Sequence, residues 1–421
     1  MATGRSGRTS RLQPSGGRSR RHVAGTGVVV AWLLAAGGTL LASRRVAGGG
    51  WLALHLVLLG AVTNAIVQWS EHFAASLLHA PASPDRVVWA RVGLLNLAVV
   101  AVLAGVHGDR PGLVAAGAGL LGVVVAGHAW LLGSWLRRGL GVRGRLGDTV
   151  WFYLAGSGAL LGGVGLGVML SAGTGSADSY RALRLAHAHL NVLGWIGLAV
   201  VGTLFTLWPT VLRTRMVAHL SVAARWAFLL CVGGLAATVG GLLLQQRGLA
   251  LAGLAAYLAG LGAALVPFVA TMRQRQPQSG AAWALLAGLV WLLVAVTVDL
   301  AWLAAVDRVV DLDEHLGRLI PAISVGFGLQ MVTGALSFLL PVMLGRGALG
   351  NRRLTRLLEL AWPARLAAVN LGVALRTFGP ATGWTVPVAW WLIGLGIGWF
   401  VLLAVAAMIA TRVAHRVTEA G

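Results

Sequence analysis

The sequence predicts an all-α polytopic membrane protein of about twelve transmembrane helices. Three observations carry that reading. Hydrophobic residues make up 57% of the 421 residues and charged ones only 11%, whereas soluble domains carry about 25% charged residues. Mean hydropathy is +0.81. The apolar residues fall into long runs of membrane-crossing length, separated by short arginine-bearing segments.

The runs place spans at roughly 26–43, 51–72, 88–106, 113–136, 149–172, 185–208, 222–246, 248–272, 281–305, 318–344, 362–379 and 385–411. They form one membrane domain over 25–412. A tail over 1–24, rich in Arg, Gly and Ser, is expected to be disordered, and residues 413–421 form a short second tail. The first apolar run leads straight into further spans, which argues against a cleaved leader. The formal charge of +21 comes entirely from arginine, since the chain has no lysine. That charge is spread over short loops. It signals orientation in a lipid bilayer rather than nucleic-acid binding. With the N-terminus inside, the inner segments hold 21 arginines and the outer loops 8, so both termini are expected in the cytoplasm and the protein in the cell's plasma membrane. The acidic loop with Asp307, Asp311, Asp313 and Glu314 then faces outward. The single cysteine, Cys231, excludes an intrachain disulfide.

A repeat emerges from the spans. His55-Leu-Val-Leu-Leu-Gly60 in the second matches His189-Leu-Asn-Val-Leu-Gly194 in the sixth, at an offset of 134. Gly194, Gly202 and Pro209 match Gly326, Gly334 and Pro341 in the tenth at an offset of 132, which sets Pro321 where the histidine would stand. A unit of four helices used three times accounts for both offsets.

Four histidines, His55, His187, His189 and His315, fall in or beside the outer leaflet under this topology. Neutral imidazole is a common ligand of metals and an axial ligand of haem. His55 and His189 are the leading candidates for cofactor binding, His187 the third, and His315 a candidate metal ligand. Histidines at helix ends also sit hydrogen-bonded in the interface with no such role. His187 and His189 are about 200° apart around a helix and cannot readily hold one ion together. Arg184, His187 and Asn191 share one face, so Arg184 and Asn191 are placed to support a histidine. Asp299 in the ninth span is an intramembrane acid, expensive there and often functional. Its alternative role is to reach water or pair with an arginine such as Arg184. Asn64, Asn96, Asn370 and Gln330 are expected to bond across helices.

The string R-x-x-H-x-H-L-N-x-x-G-W from Arg184, followed by GTLFTLWPTVLRTR, resembles the membrane module that precedes cupredoxin domains in actinobacterial copper oxidase or nitrite-reductase-like proteins. HLVLLGAVTNAIVQWSEHF and GLQMVTGALSFLLPVMLGRG resemble the same module. More distantly the chain is similar to haem-copper oxidase subunit I and to the NnrS family. The resemblance implies three four-helix arcs. It also implies haem b or copper held by histidines of the second, sixth, seventh and tenth spans, and electron transfer to a copper-containing partner, or nitric oxide or copper handling. This chain departs from that pattern. Its seventh span has only His219, at its cytoplasmic end, and its tenth has no intramembrane histidine. A complete oxygen-reducing centre is therefore not expected. A cupredoxin-type copper protein on the outer face would have to be a separate chain. The competing expectations are a cofactor-free membrane anchor or assembly factor, and a secondary transporter. The end positions of Pro209 and Pro341 weigh against the transporter.

Overall fold

The computed structural model describes residues 15–42, 48–139, 147–173, 175–345 and 347–420. Among the described residues the protein is helical and contains no strand. Eleven helices among the described residues are long and apolar enough to cross a membrane. In chain order they are span 1 (Arg21–Leu41), span 2 (Gly49–Leu77), span 3 (Asp85–His107), span 4 (Pro111–Arg138), span 5 (Val150–Ser171) and span 6 (Ala177–Leu212). Span 7 (Leu220–Leu243), span 8 (Arg247–Gln274), span 9 (Gly280–Ala305), span 10 (Val309–Leu344) and span 12 (Thr385–Val413) complete the set. Span 11 is the second half of a bent pair, Gly347–Leu358 and Trp362–Phe378, which meet at 41°. Its first half is an amphipathic helix with Arg352, Arg353 and Arg356 exposed and Leu358 buried. Pro363 sits in the first turn of the second half, where a missing N–H costs nothing. The arginine-rich tail lies outside the described residues as far as residue 14; the chain is helical from Ser15.

Spans 6 and 10 form the centre. In each, 78% of the apolar window is buried, against 22% in span 3 and 28% in span 5. Span 2 joins them through a bond from Trp195 Nε1 to Thr63 Oγ1 at 3.1 Å. Spans 2, 6 and 10 are also the three that switch from α to π geometry, over Leu56–Val62, Leu190–Leu198 and Ala322–Leu329. Each π segment begins one residue after His55, His189 or Pro321. Those are the three positions that the offsets of 134 and 132 make equivalent.

Each π segment carries, at its fifth position, a glycine that lets its neighbour approach. A Cβ at Gly60 would lie 2.7 Å from the Trp32 ring of span 1, one at Gly194 2.4 Å from Ala159 Cβ of span 5, and one at Gly326 2.7 Å from the Trp291 ring of span 9. Small residues at such crossings are how membrane helices gain van der Waals contact without a hydrophobic driving force. The first and third units add the same polar knot. In the first, Trp32 Nε1 donates to Asn96 Oδ1 at 2.6 Å, and Asn64 exchanges amide bonds with Asn96 at 3.0 and 3.1 Å. In the third, Trp291 Nε1 donates to Asn370 Oδ1 at 2.7 Å, and Gln330 exchanges bonds with Asn370 at 3.0 and 3.2 Å. Asn64 also bonds to Gly60 O at 2.8 Å and Gln330 to Gly326 O at 2.9 Å. The amides expected to bond between helices do so. In the second unit apolar Leu198 stands at that position, and Tyr257 OH bonds to Leu193 O at 2.8 Å instead.

Candidate functional site

His55 and His189 are held the same way. Each Nδ1 donates to the carbonyl oxygen four residues earlier, Trp51 O for His55 and Leu185 O for His189, both at 2.8 Å. A carbonyl can only accept, so Nδ1 carries the proton in each ring. That fixes each ring against its own helix.

The two rings meet different neighbours. His189 Nε2 lies 2.8 Å from Asp299 Oδ2 of span 9, with both side chains buried. Because Nδ1 of His189 is already a donor, one further proton lies between Nε2 and the carboxyl group. Whichever atom holds it, the pair is neutral as a whole, which is how an ionisable pair survives at this depth. Asp299, the intramembrane acid for which water or Arg184 was the alternative partner, bonds to His189. Arg184 instead forms a two-pronged ion pair with Asp313, at the start of span 10.

His55 faces another histidine. Its ring centre is 6.5 Å from that of His187, with 33° between the planes, and its other side packs on the Trp51 ring at 4.2 Å. His187 Nδ1 donates to Gly163 O of span 5 at 2.8 Å, so its Nε2 also keeps a lone pair. Gly167, one turn along span 5, makes room for this ring. A Cβ there would lie 3.2 Å from His187 Cε1. The repeat explains the difference between the two interfaces. Trp291 packs on Gly326 as Ala159 packs on Gly194, and the eighth residue beyond each is Asp299 and Gly167 respectively. Where one interface has a carboxylate, the other has a glycine and the imidazole of His187 lies over it.

The remaining candidates are distributed around these pairs. Asn191 Nδ2 donates to His187 O at 2.7 Å and its side chain presses on Gly163. It fixes the backbone that carries His187. His315 packs its ring on Trp302 at 5.1 Å, with Nδ1 buried and unbonded. Above the His189–Asp299 pair, Arg308 pairs with Asp178, and Arg181 lies 3.8 Å from Asp311 and 3.9 Å from Glu314. The predicted outer ends of span 6 and of the 306–317 loop are thus tied together. Among the described residues no group of three or more His, Cys, Asp and Glu side chains is arranged to hold a metal ion.

Several functional-looking groups escaped the sequence reading. Glu71 and Arg91 form an ion pair between spans 2 and 3, only 12% and 10% exposed. Ser70 Oγ lies 2.9 Å from His128 Nε2. A cavity of about 80 Å3 lies between spans 2, 6 and 10, walled by apolar residues such as Ile66, Leu204 and Met331, with Ser70, Tyr153 and Thr203 as its polar members. The pairing of Glu71 with Arg91 had a usable signal, since opposite charges stood in two neighbouring apolar runs.

No known family model matches this chain, and no curated protein matches it.

Proposed function

We propose that the protein is a metal-binding integral membrane protein, and that its ion is held between His55 and His187 near the predicted outer end of spans 2 and 6. The observation that carries this is the His55–His187 pair. Two imidazoles from different spans have ring centres 6.5 Å apart, and each has its Nδ1 committed to a backbone carbonyl. That outer hydrogen bond is the usual device that fixes the tautomer and orientation of a metal-binding histidine. Two imidazoles that share an ion at about 2.0 Å each have ring centres at most about 6 Å apart, so the two rings must close slightly from 6.5 Å to hold one. A site of imidazole alone suits copper, zinc or iron rather than magnesium or calcium. Copper handling at the outer face, or electron exchange there with a separate copper-containing protein, is the activity this reading favours. The same two nitrogens could serve as axial ligands of a haem b, which absorption distinguishes.

The test is metal content and absorption of the purified protein after loading with copper(I). About one copper per chain is expected, lost in His55→Ala and His187→Ala and kept in His189→Ala. A Soret band that disappears with the same two variants would assign haem in place of a bare ion. Wild-type protein that binds neither metal nor haem overturns the proposal and leaves the anchor reading.

A further inference from the structure

The repeat sets two arginines in equivalent places with unequal surroundings. Arg91 precedes Asn96 by five residues and Arg365 precedes Asn370 by five. Asn96 and Asn370 anchor the same polar knot, so the two arginines occupy one position of the unit. Glu71 follows Asn64 by seven residues and Ser337 follows Gln330 by seven. In the first unit Arg91 is neutralised by Glu71. In the third, the residue at Glu71's place is Ser337, and no ion pair joins Arg365 to any described residue. Arg365 Nη2 donates to Leu358 O at 2.7 Å, and its Nε, like that of Arg91, is buried with no partner.

Beside Arg365 is a cavity of about 40 Å3, lined by Ser337, Thr333, Gln330, Glu359, Trp362 and Phe400 among others. Its polar walls offer few donors. Ser337 Oγ donates to Thr333 O, Thr333 Oγ1 to Gln330 O, and Gln330 Nε2 to Gly326 and Asn370. The free donors are those of the guanidinium, whose planar fork matches a carboxylate. The same fork also pairs with a phosphodiester, and the lipids compared below separate the two. The rest of the lining is apolar, from Leu366, Val369 and Ile397. The cavity lies at the predicted cytoplasmic end, beside the exposed Arg352, Arg353 and Arg356 of the amphipathic helix. Basic pockets between spans on that side attract anionic lipid head groups.

We propose that this cavity binds the carboxylate head of a fatty acid from the cytoplasmic leaflet, with the carboxylate on Arg365 where Glu71 sits on Arg91. The site is separate from the histidine pair and does not depend on it. The test is native mass spectrometry of the full-length protein in detergent with oleate, with dioleoylphosphatidylglycerol and with dioleoylphosphatidylcholine. One oleate per chain is expected. Arg365→Gln should weaken it about tenfold, the loss of one charge-assisted contact. Ser337→Glu should weaken it as much, while raising the melting temperature through an internal pair like Glu71–Arg91; that rise also certifies that the variant is folded. Arg353→Gln should leave oleate binding unchanged. Equal oleate binding by wild type, Arg365→Gln and Ser337→Glu overturns the proposal, as does an equal loss in Arg353→Gln. Phosphatidylglycerol bound in preference to oleate overturns the carboxylate assignment. Oleate bound only after Glu359→Gln overturns it too, since Glu359 would then be the arginine's own counter-ion.

Discussion

The interface of span 6 with span 9 and that of span 2 with spans 5 and 6 begin from one backbone plan and end in different chemistry. Both start from a histidine whose Nδ1 is tied to the carbonyl four residues back. In the first, Asp299 closes the gap with a 2.8 Å bond and the interface is sealed. In the second, Gly167 stands at the repeat position of Asp299 and His187 leans over it, so two imidazoles face each other at 6.5 Å. The sealed pair satisfies itself and holds two units together. The open pair leaves two imidazoles whose Nδ1 atoms are committed to backbone carbonyls, with their ring centres 6.5 Å apart. A change of acid to glycine in one helix thus separates a structural contact from a candidate ligand set.

The largest effect expected is from Asp299→Ala. It strips a buried partner from His189 and should cost about 3–5 kcal/mol, as when one member of a buried pair is removed. His187→Ala, at a half-buried position with no carboxylate to strand, should cost about 1 kcal/mol, the net worth of one hydrogen bond. Chemical unfolding of the two variants in one detergent measures the contrast; equal losses would mean that the interfaces are not different in kind. Gly167→Asp rebuilds the open interface on the plan of the sealed one. It should displace the His187 ring from span 5 and reduce copper(I) binding about a hundredfold, as losing a ligand's support does, while leaving the chain folded by circular dichroism. Gly194→Ala, whose Cβ would sit 2.4 Å from Ala159 Cβ, should cost about 1–3 kcal/mol by overpacking. Gly158→Ala on span 5, where a Cβ meets nothing within 4 Å, should be neutral or slightly stabilising. The smallest contrast is within the polar knots. Asn96→Leu and Asn370→Leu should each cost about 1–3 kcal/mol, since each strands a tryptophan N–H and a facing amide, and the two costs should agree if the units are equivalent.

Much of the fold was legible in the chain. The positions of the spans follow from runs of apolar residues, because a bilayer demands a fixed length of them. The repeat offsets, found from His55, His189, Gly194 and Gly326, mark the residues where the π segments start. The opposite facing of His187 and His189 follows from helical geometry alone, and the two rings do reach different units. The partners were not legible. Charge complementarity offered Arg184 only as an alternative partner for Asp299, and the repeat made His55 and His189 equivalent without giving a partner to either. Equivalent residues of a cyclic repeat lie in different interfaces, so His55 and His189 are alike without being neighbours. Continuing the alignment through spans 5 and 9 would have set Gly167 opposite Asp299 and exposed the difference. The 41° bend before span 11 was hidden by a run of mixed arginine and leucine that serves as an amphipathic helix. Arg365, which lacks the ion pair that Arg91 makes, needed the knot around Asn370 before it could be compared with Arg91.

X-ray absorption at the copper edge of the copper(I)-loaded protein tests the open-interface account most directly. The account predicts a first shell of two imidazole nitrogens at about 2.0 Å, with the imidazole signal halved or lost in His187→Ala and intact in His189→Ala. A first shell without imidazole, or a spectrum that His187→Ala leaves unchanged, would contradict it.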